Sequence, residues 1–299
     1  MFKVVFIAGP TAVGKTEYAI RLANDLNGEI ISADSMQLYK YLDIGSAKPT
    51  EEERRRAQHW LIDEIDPRQA FNVSEYQKLA KNYIADVHSR GKLPIVCGGT
   101  GLYINSLLYD MDFSAPEGDE EYRKALIEKY DTPQKLYDYL LSLDPDAAPL
   151  EDMNNVKRIA RYVERLEKGE EKLAKFSEMN AASKEYDPIF IALSMDREIL
   201  YERINKRVDK LIEMGLVDEV KNLQAMGFTP DDVSMKGIGY KELMEDLPLD
   251  EAIEKIKINT RHYAKRQIIW LRRYNESLKW FDVNNNSYEE ILAWIKEKL

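Results

Sequence analysis

Val4-Val5-Phe6-Ile7-Ala8-Gly9-Pro10-Thr11-Ala12-Val13-Gly14-Lys15-Thr16 decides the fold, because an apolar run leads into G-x-x-x-x-G-K-T and then into residues with helical patterning up to Leu26. This is the strand, glycine-rich loop and helix of a phosphate-binding P-loop. Gly9 and Gly14 permit close backbone approach, and the loop amides from Thr11 through Ala12 and Val13 to Gly14 form a nest for an anion. Lys15 is expected on the terminal phosphates and Thr16 on magnesium, directly or through water. The motif predicts a polyphosphate ligand without saying whose phosphates they are.

Outward from this loop the first third alternates strand and helix. Lys3–Ala8, Glu29–Ala33 and Leu93–Cys97 read as strands, with helices predicted over Lys15–Leu26 and Ser74–Arg90. Strands separated by helices imply an α/β fold with a parallel sheet, right-handed crossovers and ligands at the carboxyl ends of the strands. Three strand ends are therefore candidate site elements: Gly9–Thr16, Asp34–Gln37 and Gly98–Gly101.

From about Ser114 the pattern changes to charged helical segments broken at Pro116, Pro133, Pro145 and Pro149. The expected organisation is a P-loop core over 1–114, an all-helical insertion over 115–186, and a second part of the core over 187–299 with C-terminal helices. In that second part the sequence predicts a strand at Ile189–Ser194, then a helix capped by Asp196 and carrying Arg197, Arg203 and Arg207. Basic residues on such a helix resemble the lid of P-loop phosphotransferases. A long helix around Leu249–Tyr274, a strand Leu278–Val283 and a helix Tyr288–Lys298 capped near Asn286 or Ser287 complete the expectation.

Composition narrows the classes. The chain has 299 residues, 44% hydrophobic and 32% charged, which suits a soluble globular protein with a large core. No apolar stretch approaches the roughly 18–20 residues of a membrane span, and Met1-Phe2-Lys3 runs straight into a strand, so a cytoplasmic protein is expected. Cys97 is the single cysteine, excluding an internal disulfide, and His59, His88 and His262 offer no zinc-site spacing. The formal net charge of −10 argues against non-specific nucleic-acid binding. Locally the balance reverses: Lys255, Lys257, Arg261, Lys265, Arg266, Arg272 and Arg273 occur without an acidic residue between them, and Lys157, Arg158, Arg161 and Arg165 form a smaller cluster. Two such runs beside a P-loop point to an anionic partner.

Asp34 is the discriminating residue. It ends the second strand, and its carboxylate has three readings: a magnesium ligand as in a hydrolase, a proton acceptor as in a kinase-like transferase, or a turn or cap aspartate. Ser35 and Gln37 beside it favour recognition of an acceptor, since a glutamine amide pairs with donors and acceptors of a nucleobase. Gly98-Gly99-Thr100-Gly101 stands where a nucleotide hydrolase often carries an acid after an apolar run. That weakens a motor or switch reading.

The set Gly9–Thr16, Asp34-Ser35-Met36-Gln37-Leu38-Tyr39, Asp43-Ile44-Gly45-Ser46-Ala47-Lys48-Pro49, Gly98-Gly99-Thr100-Gly101-Leu102-Tyr103 and Ala264-Lys265-Arg266-Gln267 closely resembles the bacterial tRNA dimethylallyltransferases, in order and over nearly the whole chain. The resemblance implies transfer of a dimethylallyl group from dimethylallyl diphosphate to the exocyclic amine of the adenosine 3′-adjacent to the anticodon, in tRNAs reading codons that begin with U. Diphosphate leaves, held by the P-loop with Mg2+. By the same resemblance Arg207 meets the diphosphate, with Arg203 the less favoured neighbour, and Asp34 takes the amine proton. Asp34, Ser35, Met36, Gln37, Thr100, Arg123, Lys157, Arg158, Arg161, Gly239, Tyr240, Lys241, Arg266 and Gln267 correspond to tRNA contacts, and the partner is a tRNA anticodon stem-loop met by a monomer. Ser46, Gln58-His59-Trp60 and Ile268-Ile269-Trp270 depart from the commoner family residues, and His59 is expected to be structural. A small-molecule kinase, an adenylate isopentenyltransferase and a non-catalytic RNA-binding P-loop protein are the rival readings.

Overall fold

Among the described residues one sheet carries six strands, all paired in parallel: β1 (Phe2–Ala8), β2 (Gly28–Ala33), β3 (His59–Trp60), β4 (Leu93–Gly98), β5 (Tyr186–Ser194) and β6 (Lys279–Asp282). Their order across the sheet is β3-β2-β4-β1-β5-β6. The computed structural model describes residues 1–69, 71–109, 111, 118–147, 155–169 and 185–299. β1 lies inside the sheet, and Val4 to Ala8 are each at most 1% exposed, which is why this strand reads as a continuous apolar run and not an alternating one.

The register sets the site. Ile7 pairs with Cys97, Ala8 with Ala192 and Ala33 with Gly98, so β1, β2 and β4 finish at one level and release their loops side by side. Helix Lys15–Asp25 follows β1 and buries Ala19, Ile20, Leu22 and Ala23. They join Val5, Ile7, Ile30, Ile95 and Ile191 in the main core. Helix Val73–Ser89 opens with an Asn72–Glu75 capping box, helix Arg197–Glu213 is capped by Asp196 as expected, and helix Tyr288–Lys298 is capped by Ser287.

Several elements differ from expectation. The long helix ends at Leu271, and Arg272–Ser277 continues as a 3₁₀ turn. β3 is too short to carry a periodic signal. It is held by Trp60, whose indole N–H donates to Glu29 at 2.8 Å. Glu29 is 3% exposed and also accepts from Arg90 and Lys92 at 2.6 Å each, and the Arg90 hydrogen bond leads in holding its carboxyl down at about 2. β5 begins at Tyr186, two residues before Pro188, and Tyr186 pairs with Phe2.

The chain divides into two compact units, one of residues 1–110 with 182–299 and the other of residues 111–181. The second holds helices Glu120–Tyr130, Pro133–Leu143 and Val156–Glu167, packed through Leu126, Leu136, Leu140, Ile159, Ala160 and Val163. Pro133 starts a helix at its first turn, behind the Thr132 cap, and Pro145 opens a 3₁₀ turn. The expected change at Ser114 and the breaks at Pro116 and Pro149 lie outside the described residues. No helix among the described residues is long and apolar enough to cross a membrane.

Candidate active site

The loop after β1 bends sharply at Gly14, whose φ of +107° is a conformation that side-chain-bearing residues avoid. Gly14 stands at the N-terminus of helix Lys15–Asp25, and no side chain caps that end. Lys15 and Thr16 begin the helix and line a cavity of about 550 Å³. Lys15 folds back, its ammonium donating to the carbonyls of Gly9 at 3.0 Å and Pro10 at 2.9 Å. Burial above all, with the nearby Arg207 charge adding to it, lowers its pKa to about 8.

Arg207 comes from helix Arg197–Glu213 and lines the same cavity. Burial lowers its pKa, Asp34 and Glu53 oppose that effect, and no salt bridge holds its guanidinium among the described residues. Arg203, one turn earlier, is exposed, with its guanidinium beside Gly14. Two desolvated cations without a carboxylate bonded to either make a site that gains strongly from an anion.

Asp34 faces these cations from the end of β2 and lines the cavity with Ser35, Met36 and Gln37. Its Oδ1 accepts from the backbone N–H of Met36 at 2.9 Å and Gln37 at 3.4 Å, so the turn role anticipated for an aspartate is present. That bonding uses Oδ1 and leaves the second carboxylate oxygen outside the turn. Thr100, at the start of helix Gly101–Leu108, accepts from Ser35 N–H at 3.0 Å. Gln37 is engaged within the protein, accepting from Ser32 Oγ at 3.1 Å and donating to Ala47 O at 3.2 Å.

The remaining sequence-selected residues separate by environment. Ala12 and Thr11 line the cavity, whereas Val13 puts its side chain into the core and its N–H donates to Pro10 O at 3.4 Å. Arg266 lines the cavity and is exposed, while Gln267, beside it on the long helix Leu249–Leu271, is 7% exposed. Gly239 lines the cavity and Lys241 is exposed, but Tyr240 is fully buried. Its hydroxyl donates to Glu219 at 2.7 Å and accepts from Ser46 N–H at 3.1 Å, so it supports the Asp43–Ser46 loop from within. Glu219 also accepts from the N–H groups of Asp43, Ile44 and Gly45. His59, half-buried, directs Nδ1 to the Ala57 carbonyl at 2.8 Å, and burial lowers its pKa.

In the helical unit, Lys157, Arg158 and Arg161 are exposed on helix Val156–Glu167. Arg123 belongs to a different environment: its Nε donates at 2.5 Å to Glu164, which is 2% exposed and also accepts from Lys168 and the Asp119 N–H. Sequence reading missed Tyr263, which lines the cavity with its hydroxyl beside Thr100 and Gln267 and in the field of Asp34. The signal was helical spacing, since Tyr263 sits one turn before Gln267 on the same face. Cys97 also lines the cavity, and burial pushes its thiol up to about 11, so it adds no charge there near neutral pH.

The family model for IPP transferases matches residues 37–274. A tRNA dimethylallyltransferase of Alkaliphilus oremlandii is 48% identical over 299 residues, covering 97% of this chain and 95% of that protein. Among solved structures, a tRNA isopentenylpyrophosphate transferase of Bacillus halodurans aligns with a TM-score of 0.75 at 40% identity, covering 100% of this chain and 97% of its own. A eukaryotic dimethylallyltransferase acting on tRNA aligns with a TM-score of 0.83 at 29% identity, covering 100% of this chain and 79% of its own. With a family match across most of its length and a relative nearly half identical over almost the whole, this chain belongs to the IPP transferase family.

Proposed function

We propose that this protein transfers the dimethylallyl group of dimethylallyl diphosphate to the exocyclic amine of the adenosine next to the anticodon of tRNA on its 3′ side. The observation that carries the reading is the pairing of Lys15 and Arg207, half-buried cations without a bonded carboxylate, with Asp34 in one cavity. Family membership and the names of the relatives support the same chemistry.

In the step itself the allylic C1–O bond breaks, and both its electrons leave with the diphosphate. The amine lone pair forms the new N–C1 bond, and the amine proton passes to Asp34. Charge grows on the departing oxygen, so groups that bind the leaving anion more tightly than the intact donor lower the barrier. Lys15, Arg207 and the amides of Ala12 and Gly14 in the glycine-rich loop are those groups, since the Thr11 N–H donates to Gln267 and the Val13 N–H to Pro10. Among the described residues no three acidic, histidine or cysteine side chains converge as a metal cage, and a threonine hydroxyl beside a diphosphate is the sparse protein donor set that Mg2+ accepts. Thr16 and the donor's own oxygens would hold the ion, which supplies further positive charge to the leaving group.

The acceptor must place a base edge against Asp34, which an unpaired loop nucleotide does more readily than a base in a duplex. Lys157, Arg158, Arg161 and Arg266 would meet its phosphates. The test incubates the protein with magnesium, labelled dimethylallyl diphosphate and unmodified tRNA, beside AMP and ATP controls. Label in tRNA with release of pyrophosphate is expected. Label in AMP alone, or consumption of ATP, overturns the reading.

A further inference from the structure

Gln267 makes two hydrogen bonds whose direction is forced. The Thr11 N–H can only donate and the Gly99 carbonyl can only accept, so Oε1 faces Thr11 at 2.8 Å and Nε2 faces Gly99 at 2.9 Å. One planar amide thus spans from the diphosphate loop after β1 to the turn after β4. Glycine at position 99 is what admits it, since a Cβ there would lie 2.1 Å from Nε2. The next residue, Thr100, accepts from Ser35 N–H at 3.0 Å, and Ser35 adjoins Asp34. Tyr263 sets its hydroxyl beside both Thr100 and Gln267. A continuous chain of bonded groups therefore runs from the donor loop to the strand end that carries the acceptor-side carboxylate.

We propose that Gln267 is a positioning residue, holding the diphosphate loop at a fixed spacing from the turn that carries Thr100 and, through Ser35, from Asp34. The inference rests on the prenyl-transfer reading and replaces the expectation that Gln267 reads RNA. Its physical basis is distance. The attacking amine and the allylic carbon must meet at about 3–3.5 Å, and a displacement near 1 Å costs on the order of 10²-fold in rate. The leaving group is fixed by the loop and the amine by the strand end. An amide bonded to both sides of the gap sets that distance before either substrate arrives, and its 7% exposure leaves little surface for contact with RNA.

The test combines three variants with three readouts. Gln267→Ala removes both bonds, Gln267→Glu keeps an acceptor for Thr11 but loses the donor to Gly99, and Gly99→Ala drives the amide out with Gln267 intact. The readouts are kcat against KM for dimethylallyl diphosphate, the Kd of an anticodon stem-loop RNA, and hydrogen exchange at the Thr11 amide. Gln267→Ala is expected to lower kcat by about 10–100-fold, to leave the RNA Kd within about twofold, and to speed Thr11 exchange by about tenfold. Gly99→Ala should reproduce the kcat loss, which keeps the proposal testable if Gln267→Ala does not fold. Gln267→Glu should lose kcat while Thr11 stays protected. A loss of RNA affinity with kcat at saturation unchanged would show that Gln267 reads RNA and would overturn the proposal, as would unchanged kcat in both alanine variants. Label transfer to tRNA by the unaltered protein is scored alongside and tests the reaction itself, while Thr11 exchange reports on Gln267 whatever the reaction proves to be.

Discussion

Lys15 and Arg207 are sunk in a cavity, whereas Lys157, Arg158 and Arg161 stand in water on one flank of helix Val156–Glu167. The two sets share a charge and differ in solvation. Burial lowers the pKa of both Lys15 and Arg207, the mark of charge held where water is scarce, and such charge interacts strongly over short range. The exposed set works in a high dielectric, where each charge contributes little, salt screens it within about 8–10 Å, and the sum acts on a polyanion. The cavity cations are therefore suited to a small anion whose charge changes during reaction, and the flank to a large anion that need only be gathered.

The largest effect expected from this contrast lies at the carboxylate facing the cavity cations. Asp34→Asn keeps an oxygen for the Met36 and Gln37 amides, so the turn survives, but it removes the carboxylate proposed as the proton acceptor. Single-turnover rates should fall by about 10²–10⁴-fold, with RNA affinity changed far less. Full turnover with weakened RNA binding would make Asp34 a recognition group and end its assignment as the base.

The next effect belongs to the exposed flank. Replacing Lys157, Arg158 and Arg161 together by alanine should weaken RNA binding by about 10–100-fold at low salt and flatten the log–log salt dependence by about 2, at roughly 0.7 per phosphate contact on a single strand. Turnover at saturating RNA should hold. Titrations between about 50 and 200 mM salt, the range over which such slopes are read, give the answer. An unchanged slope would mean that this flank meets no phosphates, and the comparison between the two sets of cations would lose one side.

Local pattern carried much of this to the reader of the sequence. The P-loop and the strands β1, β2 and β4 announce themselves by runs of apolar residues and the spacing of Gly9, Gly14 and Lys15, because burial on both faces of a parallel strand is a local property. What stayed hidden depends on distant partners. Nothing near Tyr240 says that its ring is buried and its hydroxyl meets Glu219. Nothing near Arg123, expected at the tRNA, says that the helices bring Glu164 against it. Gln267 stands beside the exposed Arg266, and only its separate bonds to Thr11 and Gly99 distinguish a bridge from a surface residue. The end of the long helix at Leu271, short of Tyr274, follows the ordinary looseness of helix termini read from pattern alone.

The smallest predicted effect sharpens the comparison most, because it isolates solvation from charge. The Lys15 pKa is lowered to about 8 by burial above all, from its ordinary value of 10.5. An unfolded chain keeps the proton on this lysine up to about that ordinary value, so between pH 8 and 10.5 the unfolded state binds more protons, and the Lys15 contribution to stability rises with pH. A bound diphosphate reverses the sense, since it favours the charged ammonium. Affinity for dimethylallyl diphosphate should accordingly be flat below about pH 8 and fall by up to about tenfold per unit above it. Thermal unfolding with and without the donor from pH 7 to about 10 reads both signs together: the ligand-induced rise in Tm should shrink with pH, and Lys15→Met should abolish that trend. A trend that persists in Lys15→Met would place the titrating group elsewhere. An increment independent of pH would mean that Lys15 is solvated like its counterparts on the exposed flank, and the distinction between the two sets would rest on Arg207 alone.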